Sequence, residues 1–156
     1  VRVTEKTGDL FGAPPNSVLI HACNCAGHWG AGIAAAFRKR YPSAYKAHVA
    51  FCEGQTPEQL VGTAQLIPPC ELDDSPRHYI GCLFTSRRYG RAKDSPCQII
   101  RATGPAMRDL LEQIEVVKES GQSVAEIRMC RINSGLFAVP WEDTKEAIEG
   151  LNLEAG

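Results

Sequence analysis

No apolar run in this chain reaches the roughly 18 residues that a membrane-crossing helix needs. A surplus of one charge is missing too: 17 lysines and arginines stand against 18 acids, a formal net charge of −1. Binding nucleic acid through charge normally needs a basic excess, so that class of function is set aside. The seven cysteines are scattered and form no framework of close pairs, which speaks against a disulfide-stapled scaffold. Thiols of this kind are expected to stay reduced and buried, in the cytosol or nucleus, and no secretory leader is expected. Internal repeats, low-complexity tracts and linkers are lacking as well, so residues 1–156 are read as a single domain.

What is present is an ordinary soluble composition, 44% hydrophobic and 22% charged, with enough chain to bury a core. Val1 to Lys6 alternates apolar and polar, the pattern of a strand, and Thr7-Gly8-Asp9 ends it in a turn. Ser17 to Cys23 is nearly continuous apolar, as in a central strand covered on both faces. Helices are predicted over 33–41 and 43–52, and strands over 61–67 and 78–84 with a polar, proline-rich turn between them. A charged loop at 87–94 precedes a helix that Ser95 caps and Pro96 opens, running to about Glu119 with Gly104-Pro105 as a point of kinking. A strand over 124–132, a loop over 133–140 and a helix over 142–151 complete the chain. Strands alternating with helices imply a layered α/β fold around a central sheet. The basic clusters 38–40 and 87–91 read as solvated faces.

The stretch HACNCAGHWGAGIA, 21–34, admits three chemistries. His21, Cys23 and Cys25 alternate along an extended segment and leave one face of it, but a zinc site wants a fourth convergent ligand, with His28 the nearest choice. A phosphatase cysteine would follow His directly and precede an arginine by six residues; here Trp29 and Ala31 stand in the arginine's place, so both thiols read as inert and buried. An anion cradle uses what is there. Gly27, Gly30 and Gly32 let the backbone approach a ligand, and a helix opening at about Ile33 presents free N–H groups and its positive dipole end. A glycine turn that serves packing alone is the rival reading of this loop. A second strand-to-helix loop, Arg131-Ile-Asn-Ser-Gly-Leu-Phe-Ala-Val-Pro-Trp141, again offers amides, with Phe137 as a ring face for a sugar. Two such loops fit a ligand bound beyond the carboxyl ends of sheet strands. Asp9, in a third turn, offers a carboxylate to a nucleobase amino group.

Taken in order, TGDLF at 7–11, VLIHACNCAGHWGAGIA at 18–34 and INSGLFAVPW at 132–141 resemble the macro domain, an ADP-ribose-binding family, over about the whole chain. The resemblance implies a three-layer α/β/α fold with a central mixed sheet. Its last edge strand is hard to find after Leu151. HACNCAGHWGAGIA, CLFTS at 82–86 and INSGLFAVPWE are most similar to the yeast-type branch that hydrolyses ADP-ribose 1''-phosphate. By that match Asp9 would recognise adenine with Gly8 and Leu10 beside it, and Ile20, His21, Ala22 and Asn24 would flank the distal ribose. Gly27, His28, Trp29, Gly30, Ala31, Gly32 and Ile33 would form the first phosphate loop. Ile132, Asn133, Ser134, Gly135, Leu136 and Phe137 would form the second. Ser86 and Phe137 stand where the branch that cleaves ADP-ribose from glutamate has a lysine and an aspartate, so a covalent lysine mechanism is not expected.

The activity so implied is a phosphoric monoester hydrolase that needs neither cofactor nor metal. Backbone amides of Gly30, Ala31 and Gly32 would hold the terminal phosphate. His21 is expected to move the proton and Asn24 to orient ribose or water, with His28 as the second candidate. Two alternatives share the ligand: a reader module that binds ADP-ribose without turnover, and a hydrolase that removes it from modified proteins.

Overall fold

The computed structural model describes residues 1–72 and 77–152. Strands β1 (Val18–Asn24), β2 (Ala64–Ile67), β3 (Tyr79–Ser86) and β4 (Ile127–Met129) form one mixed sheet in the order β2-β3-β1-β4. β1 lies parallel to both β3 and β4, whereas β2 pairs with β3 antiparallel. The unbroken apolar run therefore does become an interior strand with partners on both sides. Helices α1 (Gly32–Arg40), α2 (Pro42–Cys52) and α3 (Pro57–Leu60) precede β2; α4 (Pro96–Glu119) follows β3, and α5 (Trp141–Glu149) follows β4. Among the described residues, no helix is long and apolar enough to cross a membrane.

Side chains alternate across a strand, so β1 feeds two different cores. Leu19 and Cys23 join Trp29, Phe37, Tyr41, Cys82 and Phe84 in an aromatic layer under α1 and α2. Val18 and Ile20 join Leu83, Met107, Leu110, Ile114 and Ile148 in an aliphatic layer under α4 and α5. Helix starts follow local chemistry. Thr56 with Gln59 and Ser95 with Gln98 close reciprocal capping boxes on α3 and α4, each with a proline in the first turn. The Glu71 carboxylate accepts from the Ser43 and Ala44 amides at the start of α2. Arg38, Lys39 and Arg40 fill the last turn of α1, where its negative dipole end favours cations. Arg40 also lies 4.4 Å over the Phe11 ring.

Four expectations are corrected. Val1–Lys6 adds no strand. Its alternating residues reach α5 instead, where the Glu5 carboxylate accepts from Trp141 Nε1 at 2.8 Å and Lys145 Nζ at 3.0 Å. Of 61–67 only Ala64–Ile67 is strand, because Val61 ends α3 and Gly62, at φ +82°, turns the chain before the strand begins. Of 124–132 only Ile127–Met129 is strand. Gly104-Pro105 does not interrupt α4: Gly104 is buried, and Pro105 stands on the exposed face of the continuous helix. Part of the proline-rich turn, 73–76, and the stretch where a last strand was sought, 153–156, lie outside the described residues.

Candidate functional site

Because β1, β3 and β4 run parallel, the loops that follow them open at the same edge of the sheet. Between these loops lies a cavity of about 900 Å³, within the range that encloses a nucleotide-sized ligand. Residues 28–34 form one wall, 130–137 the opposite wall, and Tyr89, Gly90, Arg91 and Lys93 a third.

The first wall begins at a register shift between Cys23 and Asn24, which leaves Asn24 opposite Ser86. The Asn24 amide then ties its own loop: Nδ2 donates to the His28 carbonyl at 2.7 Å, and Oδ1 accepts from Ala26 N at 2.9 Å. Tyr45 donates its hydroxyl to the Gly27 carbonyl from α2. Beyond these ties the main chain is bare. Ala31 gives α1 no side-chain cap and no acid lies in its first turn, unlike α2, α3, α4 and α5, which have side-chain partners or acids there. Among the described hydrogen bonds, none uses the amides of Gly30 to Ala34. The four unpaired N–H groups of Ala31 to Ala34 at the helix start, with the dipole behind them, form a site for an anion. Gly32 has φ +60°, and a Cβ there would lie 3.4 Å from Leu136 Cδ1, so the two loops approach across it.

The second wall is held from beneath. Asn133, at φ +65°, is buried: Nδ2 donates to Thr103 Oγ1 at 3.0 Å and Thr144 Oγ1 at 3.3 Å, while Oδ1 accepts from Thr85 Oγ1 at 2.9 Å. One amide thus links β3, α4 and α5. Above it, Ala138 N bonds Gly135 O and Val139 N bonds Asn133 O, leaving the amides of 135–137 without a described partner.

The macro domain family model matches residues 20–148. The chain belongs to the macro domain family. It is 55% identical, over all of its own length and 87% of the relative's, to the ADP-ribose 1''-phosphate phosphatase of Chaetomium globosum. It is 39% identical to a protein of the same name from Aspergillus oryzae, over 97% of the chain and 90% of that protein. Among solved structures, the macrodomain of Mycobacterium tuberculosis DarG superposes with a TM-score of 0.70 at 24% identity, over 94% of this chain and 86% of that one.

In this macro domain the cavity gathers Ala22, Asn24, His28 to Ile33 and Ile132 to Phe137. Other expected residues lie elsewhere. Ile20 packs in the aliphatic layer and Gly27 against Cys52 and Val49. Gly8, Asp9 and Leu10 do not line the cavity; Asp9 Oδ1 caps the short 3-10 turn by accepting from Phe11 N at 3.0 Å. His21 requires the largest correction. It shares a strand face with Leu19 and Cys23, so its ring is fully buried, stacked 4.2 Å from Phe37 and edge-on to Trp29. His21 is not among the residues that line the cavity, although Ala22 and Cys23 after it are. Asn133 likewise spends its side chain on the fold, so only its neighbours' amides face a ligand.

The cysteines of this stretch are placed by the same geometry. His21 and Cys23 converge with Cys82 rather than Cys25, their ligand atoms within 4.8 Å of one another. Burial pushes the Cys23 thiol well above its ordinary value, and burial together with nearby Cys52 and Asp94 pushes Cys25 up to about 12. Both thiols are held protonated at neutral pH, a poor state for a nucleophile. The residues missed at the sequence level are Tyr89, Arg91, Lys93 and Arg131. Tyr89 stacks on His28 at 4.6 Å between centroids, and a Cβ on Gly30 would lie 2.1 Å from His28 Nε2. The imidazole is therefore pinned between a glycine and a tyrosine at the cavity rim. The run Arg87-Arg88-Tyr89-Gly90-Arg91 was the available signal, set aside as a solvated face.

Proposed function

We propose that this macro domain hydrolyses ADP-ribose 1''-phosphate to ADP-ribose and inorganic phosphate. The observation that carries the reading is the uncapped start of α1 facing the unpaired amides of 135–137 across one cavity. Two sets of inward amides suit a diphosphate and a further phosphate better than an uncharged ligand. The fungal relatives named for this activity support the choice of bond. Adenine would extend past the enclosed cavity toward Asp9, whose carboxylate is exposed. Seven free thiols suit a reducing compartment, cytosol or nucleus.

In the reaction a water oxygen forms a bond to phosphorus while the bond from phosphorus to the sugar oxygen opens. The electron pair stays with the sugar oxygen, which takes a proton as water gives one up. Amides of the first turn of α1 stabilise the non-bridging oxygens as charge shifts among them. His28 is the proton-transfer group of this scheme: it lines the cavity, its side chain is accessible, and Gly30 and Tyr89 fix its ring. Asn24 acts as a positioning residue, holding the His28 main chain through both ends of its amide. No step calls for a metal, and turnover is expected to survive exhaustive chelation.

Incubation of the purified protein with ADP-ribose 1''-phosphate, following phosphate and ADP-ribose together, tests the reading. Stoichiometric appearance of both is expected. Tight binding with no product would make the domain a reader, and release of ADP-ribose from a modified protein alone would move the cleaved bond.

A further inference from the structure

The third wall of the cavity carries charge that the proposed scheme leaves unused. The cavity lining contains Arg91, Lys93 and Arg131 and no carboxylate, although acids outnumber bases in the whole chain by 18 to 17. Arg131 is engaged, with Nη2 3.4 Å from the Glu5 carboxylate. Arg91 and Lys93 take part in no ion pair and no side-chain hydrogen bond among the described residues. Their turn is nevertheless anchored. Arg87 pairs with Asp94 at 3.2 Å, Ser86 Oγ donates to the Arg88 carbonyl at 2.7 Å, and Asp94 N donates to Ser86 Oγ at 3.0 Å. The one nearby acid is thus consumed at the base of the turn, while Tyr89 at its tip leans on His28. Gly90, at φ +62°, lets the chain reverse between Tyr89 and Arg91.

We infer that the turn Tyr89–Lys93 is the subsite for the terminal phosphate monoester, with Arg91 and Lys93 as the groups that distinguish this ester from plain ADP-ribose. The inference rests on the proposed substrate. Its physical basis is charge. A diphosphate can be held by the amides of two loops, but a monoester adds roughly 1.5 to 2 negative charges. A helix start offers only about half a charge. Full cations with no competing acid lie on the third wall, next to the imidazole that would move the proton.

The test pairs two ligands with two variants. Phosphate release from ADP-ribose 1''-phosphate, and the affinities of that ester and of ADP-ribose by calorimetry, are measured for the wild type, Arg91→Ala/Lys93→Ala and Arg91→Lys/Lys93→Arg. Loss of roughly 10-fold in ester affinity or kcat/KM is expected for each cation removed, with ADP-ribose affinity within about twofold and most function kept by the charge-conserving variant. The wild type should lose ester affinity with added salt more steeply than the double alanine variant. An equal loss for both ligands would place the turn on their common part and overturn the assignment, as would no loss for either. If the wild type binds both ligands but releases no phosphate, the hydrolase reading falls. The ester affinities then still decide the subsite: a selective loss supports it and an unselective one ends it.

Discussion

The two loops that face each other across the cavity are held in opposite ways. The first is tied within itself by the Asn24 amide and rests on rings below. His21, Trp29, Phe37, Tyr45 and His48 pack beneath it, and among the described hydrogen bonds the His21 ring nitrogens meet only the Cys23 sulfur, 3.6 Å from each, with the Cys82 sulfur close by. The second rests on hydrogen bonds, since Asn133 is paired at both ends of its amide with three buried threonines. The other buried histidines show how different His21 is. His78 meets the Tyr41 hydroxyl at 2.7 Å and the Ala13 carbonyl at 2.9 Å, and His48 meets Gln65 Oε1 at 2.9 Å. A support made of shape tolerates exchange for another group of like volume, whereas a paired polar support does not. The ring layer beneath the first loop is thus freer to vary than the threonine network beneath the second.

Breaking the hydrogen-bonded support gives the largest expected effect. Asn133→Ala strands the hydroxyls of Thr85 and Thr144 in the interior, takes a donor from Thr103, whose own bond to the Ile99 carbonyl remains, and removes a residue that adopts positive φ. A loss of about 3 kcal/mol in unfolding free energy is expected, read by urea denaturation, with phosphate release falling as the second wall loosens. Stability within about 0.5 kcal/mol of wild type would show that the network is incidental. Next comes His28→Ala, which leaves both supports intact. It should lower kcat by at least about 100-fold and leave ADP-ribose affinity unchanged; undiminished kcat would remove His28 from the proton transfer.

The ring support is then the contrast. His21→Phe keeps the aromatic volume and gives up only contacts to sulfur, so it should shift stability by less than about 1.5 kcal/mol. His21→Ala opens a cavity and should lose about 2 to 4 kcal/mol. In both variants the pH profile of the remaining turnover should match that of wild type. A vanished limb in the His21→Phe profile would return that imidazole to the chemistry.

The sequence made the strand-to-helix order and both amide loops legible, because glycine clusters after apolar runs are local signals. It also held the parity of β1: His21 lies two residues from Leu19 and Cys23, and a period of two assigns it to their face. The motif drew His21 to the ligand while the period placed it in the core, and the period prevailed. What could not be read was long-range. That β1, β3 and β4 run parallel depends on pairings between distant segments, and only this topology brings Tyr89 to Lys93 beside His28. The capture of Glu5 by Trp141 and Lys145 is similarly distant, and it left the expected first strand as a tether on α5.

The smallest effect belongs to the thiols of the ring layer. If Cys23 and Cys25 are packing groups held protonated by burial, alkylation should bypass them. Iodoacetamide at about pH 7.5, below the ordinary thiol value of about 8.5, is expected to label exposed Cys97 first. Peptide mapping should find Cys23 and Cys25 unmodified while the protein stays folded, and phosphate release should change by less than about twofold over that period. The outcome separates two accounts of the HACNCAGHWG stretch. Inactivation in step with labelling at Cys23 or Cys25 would show that a thiolate forms there, and the first loop would then be a reactive site instead of amides resting on rings. Labelling confined to Cys97 with full turnover leaves the main chain as the part of that loop that meets phosphate.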